Sequence, residues 1–370
     1  MVVRTFGVKV ATIISIGGMC MLGFSIYLSA AVTEEVKQQI DLYKTSGFHG
    51  VFTSLNLPED DPDVLLDRLG ELGAKCQSRQ LELTVDVSQQ ALERLDLSLE
   101  HLSEITELGV TRLRIDDGLA MEQVAQLSHE IPLALNASTL SVENVDELRK
   151  NQADFSQIEA WHNFYPRKNT GLDETWFRRR NAWLQAQGFQ VTAFAPGNEL
   201  RGPVFAGLPT LESGRTKHPL AAAIDLLRLN TNNVYIGDAG VHLTTLIQFV
   251  NYFDQQIVMV HVKPNGDVPK YLFNNRLWHQ RPDVARDVVR IEEARHVKRP
   301  AIYPENTELR TRGAVTLDNQ DAGRYEGELE LVKRELPADQ TVNVIGHVVQ
   351  RDLDLLEICG AGQTIQLAWS

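Results

Sequence analysis

Residues 22–55 read LGFSIYLSAAVTEEVKQQIDLYKTSGFHGVFTSL and contain one complete strand, helix and strand unit. The runs Leu22 to Leu28 and Gly50 to Leu55 are short and mostly apolar, as buried parallel strands are. Between them, apolar residues return with the 3.6-residue period of a helix, at Val36, Ile40, Leu42 and Tyr43. Gly47 follows this helix at the C-cap position. The stretch therefore predicts two neighbouring parallel strands joined by a helix.

This unit recurs as far as Phe249 and gives eight predicted strands. They lie at Leu22–Leu28, Gly50–Leu55, Glu82–Val87, Arg112–Asp116, Pro132–Ser138, Gln157–Phe164, Gln190–Pro196 and Asn233–Asp238. A second helical stripe comprises Val64, Leu65, Leu69 and Leu72, and the glycines predicted to end helices are Gly47, Gly73, Gly109 and Gly188. The repetition predicts an α/β fold with a TIM-like (β/α)8 barrel over residues 21–254. An open doubly wound sheet is the alternative, but no glycine-rich dinucleotide fingerprint follows the first strand.

Residues 255–370 follow a different pattern and are predicted to form a small, mainly β domain. The predicted strands are Ile257–Val262, Gly313–Leu317, Glu328–Glu335, Val342–Val349 and Thr364–Trp369, with one helix at Pro282–Arg290. A barrel with a β domain also describes pyridoxal-phosphate racemases. Their Schiff-base lysine is expected at the end of the first strand, where this chain has Ile26-Tyr27-Leu28-Ser29, so that chemistry is discounted.

Charge and composition exclude several classes of function. The net charge of −13 argues against nucleic-acid binding, which needs clustered Lys and Arg. The three cysteines, Cys20, Cys76 and Cys359, are far apart and show no zinc or disulfide spacing. The ten histidines are scattered as well. We therefore predict no metal and no cofactor, and a reducing cytoplasm as the location.

The N-terminus carries a leader-like segment. Val8 to Met21 is almost wholly apolar and ends in Gly17-Gly18-Met19-Cys20, which has the form of a weak signal peptide or lipoprotein leader. It is too short to span a bilayer, so no membrane partner is expected. We interpret residues 1–20 as a leader-like or misassigned extension, with Met21 as a natural start. A surface protein lipid-anchored through Cys20 is the alternative.

Polar residues stand where the predicted barrel strands end. They are Asp86, Asp116, Asn136, His162 with Asn163, and Asp238. In a parallel barrel these ends meet on one face, which carries the chemistry. The segment from Arg114 to Gly118 closes the fourth strand, and its carboxylates, Asp116 and Asp117, predict acid–base chemistry. The alternatives are a turn at Asp117-Gly118 and a purely structural ion pair between Arg114 and Asp116.

Two loops add cations and further carboxylates. The block from Trp161 to Gly171 holds His162, Asn163, Tyr165 and Arg167, which together suit a polar, anionic ligand. The long loop Gly197 to Arg215 holds Glu199, Arg201, Glu212 and Arg215; its arginines could hold a phosphate and its glutamates could act as acid or base. A solvated loop joined by its own salt bridges is the structural alternative.

Several of these segments resemble a bacterial family of 6-phospho-N-acetylmuramidases. They are LGFSIY at 22–27, LNAST at 135–139, HNFYP at 162–166 with TGL at 170–172, ELRGP at 199–203 with GLPTLE at 207–212, IGD at 236–238, and GRYEGEL at 323–329. The resemblance implies a barrel followed by a cyclophilin-like domain and a cytoplasmic location. It also implies hydrolysis of a small phosphorylated amino-sugar disaccharide, 6-phospho-N-acetylmuramyl-N-acetylglucosamine, in cell-wall recycling.

Glycoside hydrolysis needs one carboxylic acid and a second carboxylate acting as base or nucleophile. The candidates are Asp86, Asp116, Glu212 and Asp238, with Asp116 and Glu212 favoured. An anionic substrate also requires a local cationic pocket in this acidic chain. The candidates for it are Arg114, Arg167, Lys168, Arg201 and Arg215, closed from the second domain by His279 and Arg281.

Two other classes of function are compatible with the sequence. One is a non-enzymatic surface or carbohydrate-binding lipoprotein, and the other is a barrel aldolase or epimerase, for which Lys168 would be the candidate Schiff-base lysine. The sequence is compatible with a homodimer.

Overall fold

The structure, a computed structural model, describes residues 20–56, 62–97, 99, 102–116, 118–266, 268–272 and 276–369. The leader-like residues 1–19 and Asp117 lie outside this part. Eight parallel strands close into a barrel in chain order: β1 Leu22–Ser25, β2 Gly50–Ser54, β3 Glu82–Val87, β4 Arg112–Ile115, β5 Leu133–Asn136, β6 Ile158–Trp161, β7 Gln190–Ala195 and β8 Asn233–Ile236. The predicted fold class, a TIM-like barrel followed by a mainly β part, is confirmed. All strands except β3 end one to three residues earlier than predicted.

The helices pack around the barrel. They are α1 Glu34–Thr45, α2 Pro62–Ser78, α3 Gln89–Arg94, α4 Leu102–Glu107, α5 Met121–Leu127, α6 Val142–Lys150, α7 Glu174–Ala186, α8 Pro219–Arg228 and α9 Leu243–Gln255. The side chains of Thr33 and Asp173 cap α1 and α7 by accepting backbone N–H bonds, which satisfies a donor that the helix leaves unpaired. In α1, Ile40 and Tyr43 are buried as predicted, whereas Leu42 is 43% exposed.

Three of the predicted helix-ending glycines have the positive φ of a C-cap. Gly47, Gly109 and Gly188 have φ values of 84°, 83° and 103°, a conformation that favours glycine. The prediction for Gly73 was wrong, since it lies inside α2. A Cβ there would overlap the carbonyl of Leu108, so Gly73 permits close packing instead of ending the helix.

An aromatic layer fills the barrel interior. Phe52, Trp161, Phe194 and Tyr235 are buried together. Any Cβ on Gly23 or on Gly50 of the neighbouring strands would overlap the Tyr235 ring or its hydroxyl. These two glycines therefore make room for the Tyr235 ring, and the layer closes the barrel beneath its mouth.

The second part of the chain forms one seven-stranded mixed sheet. Its strands are β9 Ile257–Pro264, β10 Leu277–His279, β11 Val288–Arg290, β12 Ala314–Asp318, β13 Leu329–Val332, β14 Val342–Val348 and β15 Thr364–Trp369, in the order β10-β15-β9-β14-β12-β13-β11. The helix predicted at Pro282–Arg290 is wrong. Val288 and Val289 are buried as part of β11, and Arg290 pairs with Glu328 beside β13 at 3.0 Å, so sheet packing outweighs the local helical pattern.

The sheet domain packs on the last two barrel helices. β9 lies against α9, and a 3₁₀ helix at Gln350–Ile358 lies against α8. The backbone N–H of His218 donates to Asp354 at 3.0 Å, and Gln248 donates to the carbonyl of Met259 at 3.0 Å. Within the described part of the chain, no helix is long and apolar enough to cross a membrane.

Candidate active site

A cavity of about 170 Å³ opens at the carboxyl ends of the barrel strands. It is lined by Asp86, Arg114, Asp116 and Asn163, and by the rings of Phe52, Phe164 and Phe194. We call this the mouth cavity. Side chains alternate between the two faces of a strand. The ones that face the barrel interior here are Asp86 of β3, Arg114 of β4 and Asn163 just after β6. The sequence predicted the four polar residues at this face, and the structure brings them together.

Arg114 is the centre of this group. One of its terminal nitrogens, Nη1, donates to Asp86 and also lies 3.3 Å from Asp116 Oδ1, while Nη2 donates to Asn163. Asn136 donates to the same oxygen of Asp116 at 3.3 Å. Arg114 is 2% exposed, so its charge is held at a fixed position between the two carboxylates.

The two carboxylates have different surroundings. Asp86 is 8% exposed and accepts hydrogen bonds from Ser54 at 3.0 Å and Asn56 at 2.8 Å. Burial raises the pKa of Asp86; the Arg114 charge opposes this shift and the nearby Asp116 charge adds to it. The side chain of Asp116 is 36% exposed, so Asp116 is the more accessible member of the pair. Burial and the neighbouring Asp116 charge therefore both favour the protonated form of Asp86.

His162 directly follows β6 and faces α7, away from the mouth cavity. It is fully buried and contacts Asn181 of α7 at 2.7 Å and Ser138 at 3.2 Å through its two ring nitrogens. Burial lowers the pKa of His162 to about 4. It is therefore a neutral packing residue at physiological pH, and its neighbour Asn163 is the one that reaches the cavity.

Asp238, although at a strand end, organises the loop after β7. It is fully buried and accepts backbone N–H bonds from Gly197 at 2.9 Å, Leu208 at 2.9 Å and Arg201 at 3.2 Å. Through these three hydrogen bonds the Asp238 carboxylate holds the loop after β7 in place.

Glu212 and Arg215 form a clamp between the two long loops. Arg215 binds both carboxylate oxygens of Glu212 at 2.7 Å, and the backbone N–H groups of Asn169 and Gly171 donate to the same carboxylate at 2.9 and 2.7 Å. The Arg215 hydrogen bond is the main cause that lowers the pKa of Glu212 to about 2. A carboxylate this acidic is ionised at neutral pH and is a poor proton donor.

Arg201 stacks on Tyr27 beside the mouth cavity. Its guanidinium carbon lies 3.5 Å from the centre of the Tyr27 ring, and the ring packs edge-on against Phe164. The Tyr27 hydroxyl donates to the carbonyl of Gly237 at 2.5 Å. Sequence reasoning missed Tyr27 as a site residue, along with Ser54 and Asn56, although all three stand at the ends of predicted strands.

The remaining predicted residues lie in other places. Tyr165 is half-buried, and Arg167 and Lys168 are exposed on the loop after β6; an exposed Lys168 does not have the buried setting that a Schiff-base lysine requires. Glu199 is exposed and its backbone bonds to Gly240 at 3.0 Å. Arg281 pairs with Asp283 at 2.8 Å in the sheet domain.

Arg281 is not among the described residues that line the mouth cavity or the cavities beside it. The sheet-domain residues at the barrel loops are instead Arg312 and the segment from Gln350 to Asp354.

Comparisons with known proteins give a consistent result over most of the chain. Residues 22–251 match the sequence model of the 6-phospho-N-acetylmuramidase N-terminal domain, and residues 258–368 match that of its C-terminal domain. A conserved Enterococcus faecalis protein of unknown function is 40% identical, with a TM-score of 0.87 over 95% of this chain and 97% of that one. An uncharacterised Bacillus cereus protein is 25% identical, with a TM-score of 0.72 over 94% and 99%. A comparison with curated proteins gave no match. The chain therefore belongs to the 6-phospho-N-acetylmuramidase family.

Proposed function

We propose that the protein is a cytoplasmic glycoside hydrolase that cleaves 6-phospho-N-acetylmuramyl-N-acetylglucosamine during cell-wall recycling. The observation that carries this proposal is the pair of carboxylates held by Arg114 at the barrel mouth, in a chain whose two parts both match the muramidase family. The family's name supplies hydrolysis at a 6-phospho-N-acetylmuramyl group; the N-acetylglucosamine on the other side of the bond is part of our proposal.

In this proposal Asp86 and Asp116 divide the two carboxylate roles of a glycosidase. Asp86, whose pKa is raised by burial and by the Asp116 charge, protonates the glycosidic oxygen as its bond to the anomeric carbon breaks. The more exposed Asp116 attacks that carbon as the nucleophile, and a water that gives its proton to Asp86 then hydrolyses the glycosyl ester. Glu212 and Asp238, which are also candidates by sequence, are assigned to loop architecture because backbone N–H groups and Arg215 use their oxygens.

The short distance between the carboxylates supports a retaining reaction. Both are joined through a single nitrogen of Arg114, so their nearest oxygens lie within about 6 Å of each other, close to the separation of roughly 5–5.5 Å in retaining glycosidases and below that in inverting ones. The configuration of the released sugar, followed by NMR immediately after cleavage, checks this assignment: inversion would contradict it.

The direct test is incubation with phosphorylated and unphosphorylated muramyl disaccharides, with the released sugars identified by mass spectrometry. We expect cleavage of the phosphorylated disaccharide and much slower cleavage of the other. Absence of cleavage by the folded protein would refute the proposed function.

A further inference from the structure

Two larger cavities lie beside the barrel mouth and share part of their walls. The first, of about 560 Å³, lies among the barrel loops and includes Lys168 and the Glu212–Arg215 clamp. The second, of about 570 Å³, lies between the barrel and the sheet domain. Both are lined by Asn198, Thr216 and Lys217, so they are adjacent, and we call the two together the interdomain cleft.

The interdomain cleft is cationic although the chain as a whole is acidic. Its charged lining residues are Lys168, Arg215, Lys217, Arg312 and Arg351 against Glu212 and Asp354. The protein carries a net charge of −13, and charges beyond about 8 Å are largely screened at physiological salt. A dianionic ligand would therefore find its favourable local potential here.

Two of these cations have no hydrogen-bonded carboxylate partner among the described residues. Arg351 is 57% exposed and forms only a long ion pair with Asp352, at 3.7 Å, which is beyond hydrogen-bond distance. Lys168 is exposed and has no ion-pair partner within the described part of the chain. In contrast, Arg215 is occupied by Glu212 at 2.7 Å and Lys217 by Asp225 at 2.7 Å.

The cleft is also connected to the mouth cavity through shared loops. Asn163 lines the mouth cavity, while Lys168 on the same loop lines the cleft. The second loop is joined to the first because Thr210 donates to the carbonyl of Asn163 at 2.9 Å. A ligand held in the cleft would therefore be positioned by the same two loops that border the carboxylate pair.

We infer that the interdomain cleft is the phosphate subsite, to which the barrel contributes Lys168 and the sheet domain contributes Arg351. This inference rests on the proposed function for the identity of the ligand, a phosphorylated amino sugar. It gives the second domain a direct part in substrate recognition, so that neither domain alone forms the complete site.

Binding of the product sugars to the full chain tests the inference without turnover. Isothermal titration with N-acetylmuramic acid 6-phosphate and with unphosphorylated N-acetylmuramic acid separates the phosphate contribution. For the phosphorylated sugar, Arg351→Gln should weaken binding by roughly tenfold, and the Lys168→Gln/Arg351→Gln double variant by roughly a hundredfold, as expected for lost charge-assisted contacts. Binding of the unphosphorylated sugar should not change. The control is Arg286→Gln, since Arg286 is 78% exposed beside Asp287 elsewhere in the sheet domain; it should bind both sugars like the wild type.

Two outcomes would overturn the inference. One is unchanged affinity of Arg351→Gln for the phosphorylated sugar, and the other is an equal loss for both sugars. Asp354→Asn separates ligand binding from domain packing. Asp354 pairs with Arg312 at 3.1 Å within the sheet domain and also accepts a hydrogen bond from the backbone N–H of His218 in the barrel. Phosphate binding that persists or tightens in this variant supports the subsite, whereas a loss would show that the cleft residues act by holding the domains together.

The two proposals fail in different ways. Phosphate-dependent binding without cleavage of the disaccharide would keep the subsite and refute the hydrolase. The opposite result is cleavage by a double variant that still prefers the phosphorylated sugar as strongly as the wild type does. It would keep the hydrolase and refute the subsite.

Discussion

The Glu212–Arg215 clamp gives a stability prediction whose size follows from the structure. Glu212 accepts two bonds from Arg215 and two from the backbone of the loop after β6. Its pKa falls from 4.5 to about 2 on folding, which would correspond to roughly 3 kcal/mol at pH 7 if fully expressed in stability. Because the Glu212 side chain is 31% exposed, solvent screening reduces our expectation to about 1–2 kcal/mol.

The sign of the pH dependence follows from the depressed pKa. A carboxylate that is more acidic when folded stabilises the protein above its unfolded pKa, and this contribution is lost as the pH falls through the folded value. Glu212→Gln should therefore be less stable than the wild type by about 1–2 kcal/mol at pH 7. The difference should shrink progressively below pH 4.5, towards the folded value of about 2.

Urea unfolding followed by circular dichroism at pH 7 and at about pH 3.5 measures this difference. The exposed residue Glu130 provides a control, and Glu130→Gln should have little effect at either pH. A Glu212→Gln variant as stable as the wild type at pH 7, or a deficit that is undiminished in acid, would refute the clamp. A loss of turnover by about 10²-fold or more in the folded variant would instead restore Glu212 as a catalytic acid or base.

The remaining predictions concern the carboxylate pair and the barrel interior. Asp116→Asn should fold normally, by circular dichroism, and lose about 10²–10⁴-fold in kcat; near wild-type turnover would remove Asp116 from the mechanism. Hydrolysis should decline as the pH rises through the raised pKa of Asp86. In the residual activity of Asp116→Asn this decline should move to lower pH in a kcat/KM profile, because the variant lacks the like charge that helps to raise the pKa of Asp86; an unmoved profile would count against a coupled pair. Gly50→Ala should destabilise the barrel by about 1–3 kcal/mol, since its Cβ overlaps the Tyr235 hydroxyl. Adding Tyr235→Phe should restore part of the thermal stability, and equal melting temperatures with and without that second change would show that the strain lies elsewhere.

Much of the site could be predicted from the sequence because strand ends in a parallel barrel gather at one face. Asp86, Arg114, Asp116 and Asn163 lie together as this rule requires. The rule cannot say which polar residue at a strand end faces the cavity. His162 and Asn163 are adjacent, polar and both just beyond β6, yet only Asn163 lines the mouth cavity.

Carboxylates on loops were harder to assign. Asp238 and Glu212 have the residue type and the position of catalytic groups, but both bind backbone N–H groups of distant loop residues. Those partners come within reach only when the loops fold, so local sequence gives no signal of them. The same reason explains Arg351, which comes to the barrel loops only through packing of the two domains.

The sequence by itself determined the alternation of strands and helices, the barrel that follows from it, and the face on which the polar residues meet. Hydrophobic periodicity and turn residues are local properties, so they can be read along the chain. Only the tertiary structure decided which carboxylates stay near the mouth cavity and which are used to hold loops. It also decided that the cations of the interdomain cleft come from both domains, because such contacts join residues far apart in the chain and depend on how the domains pack.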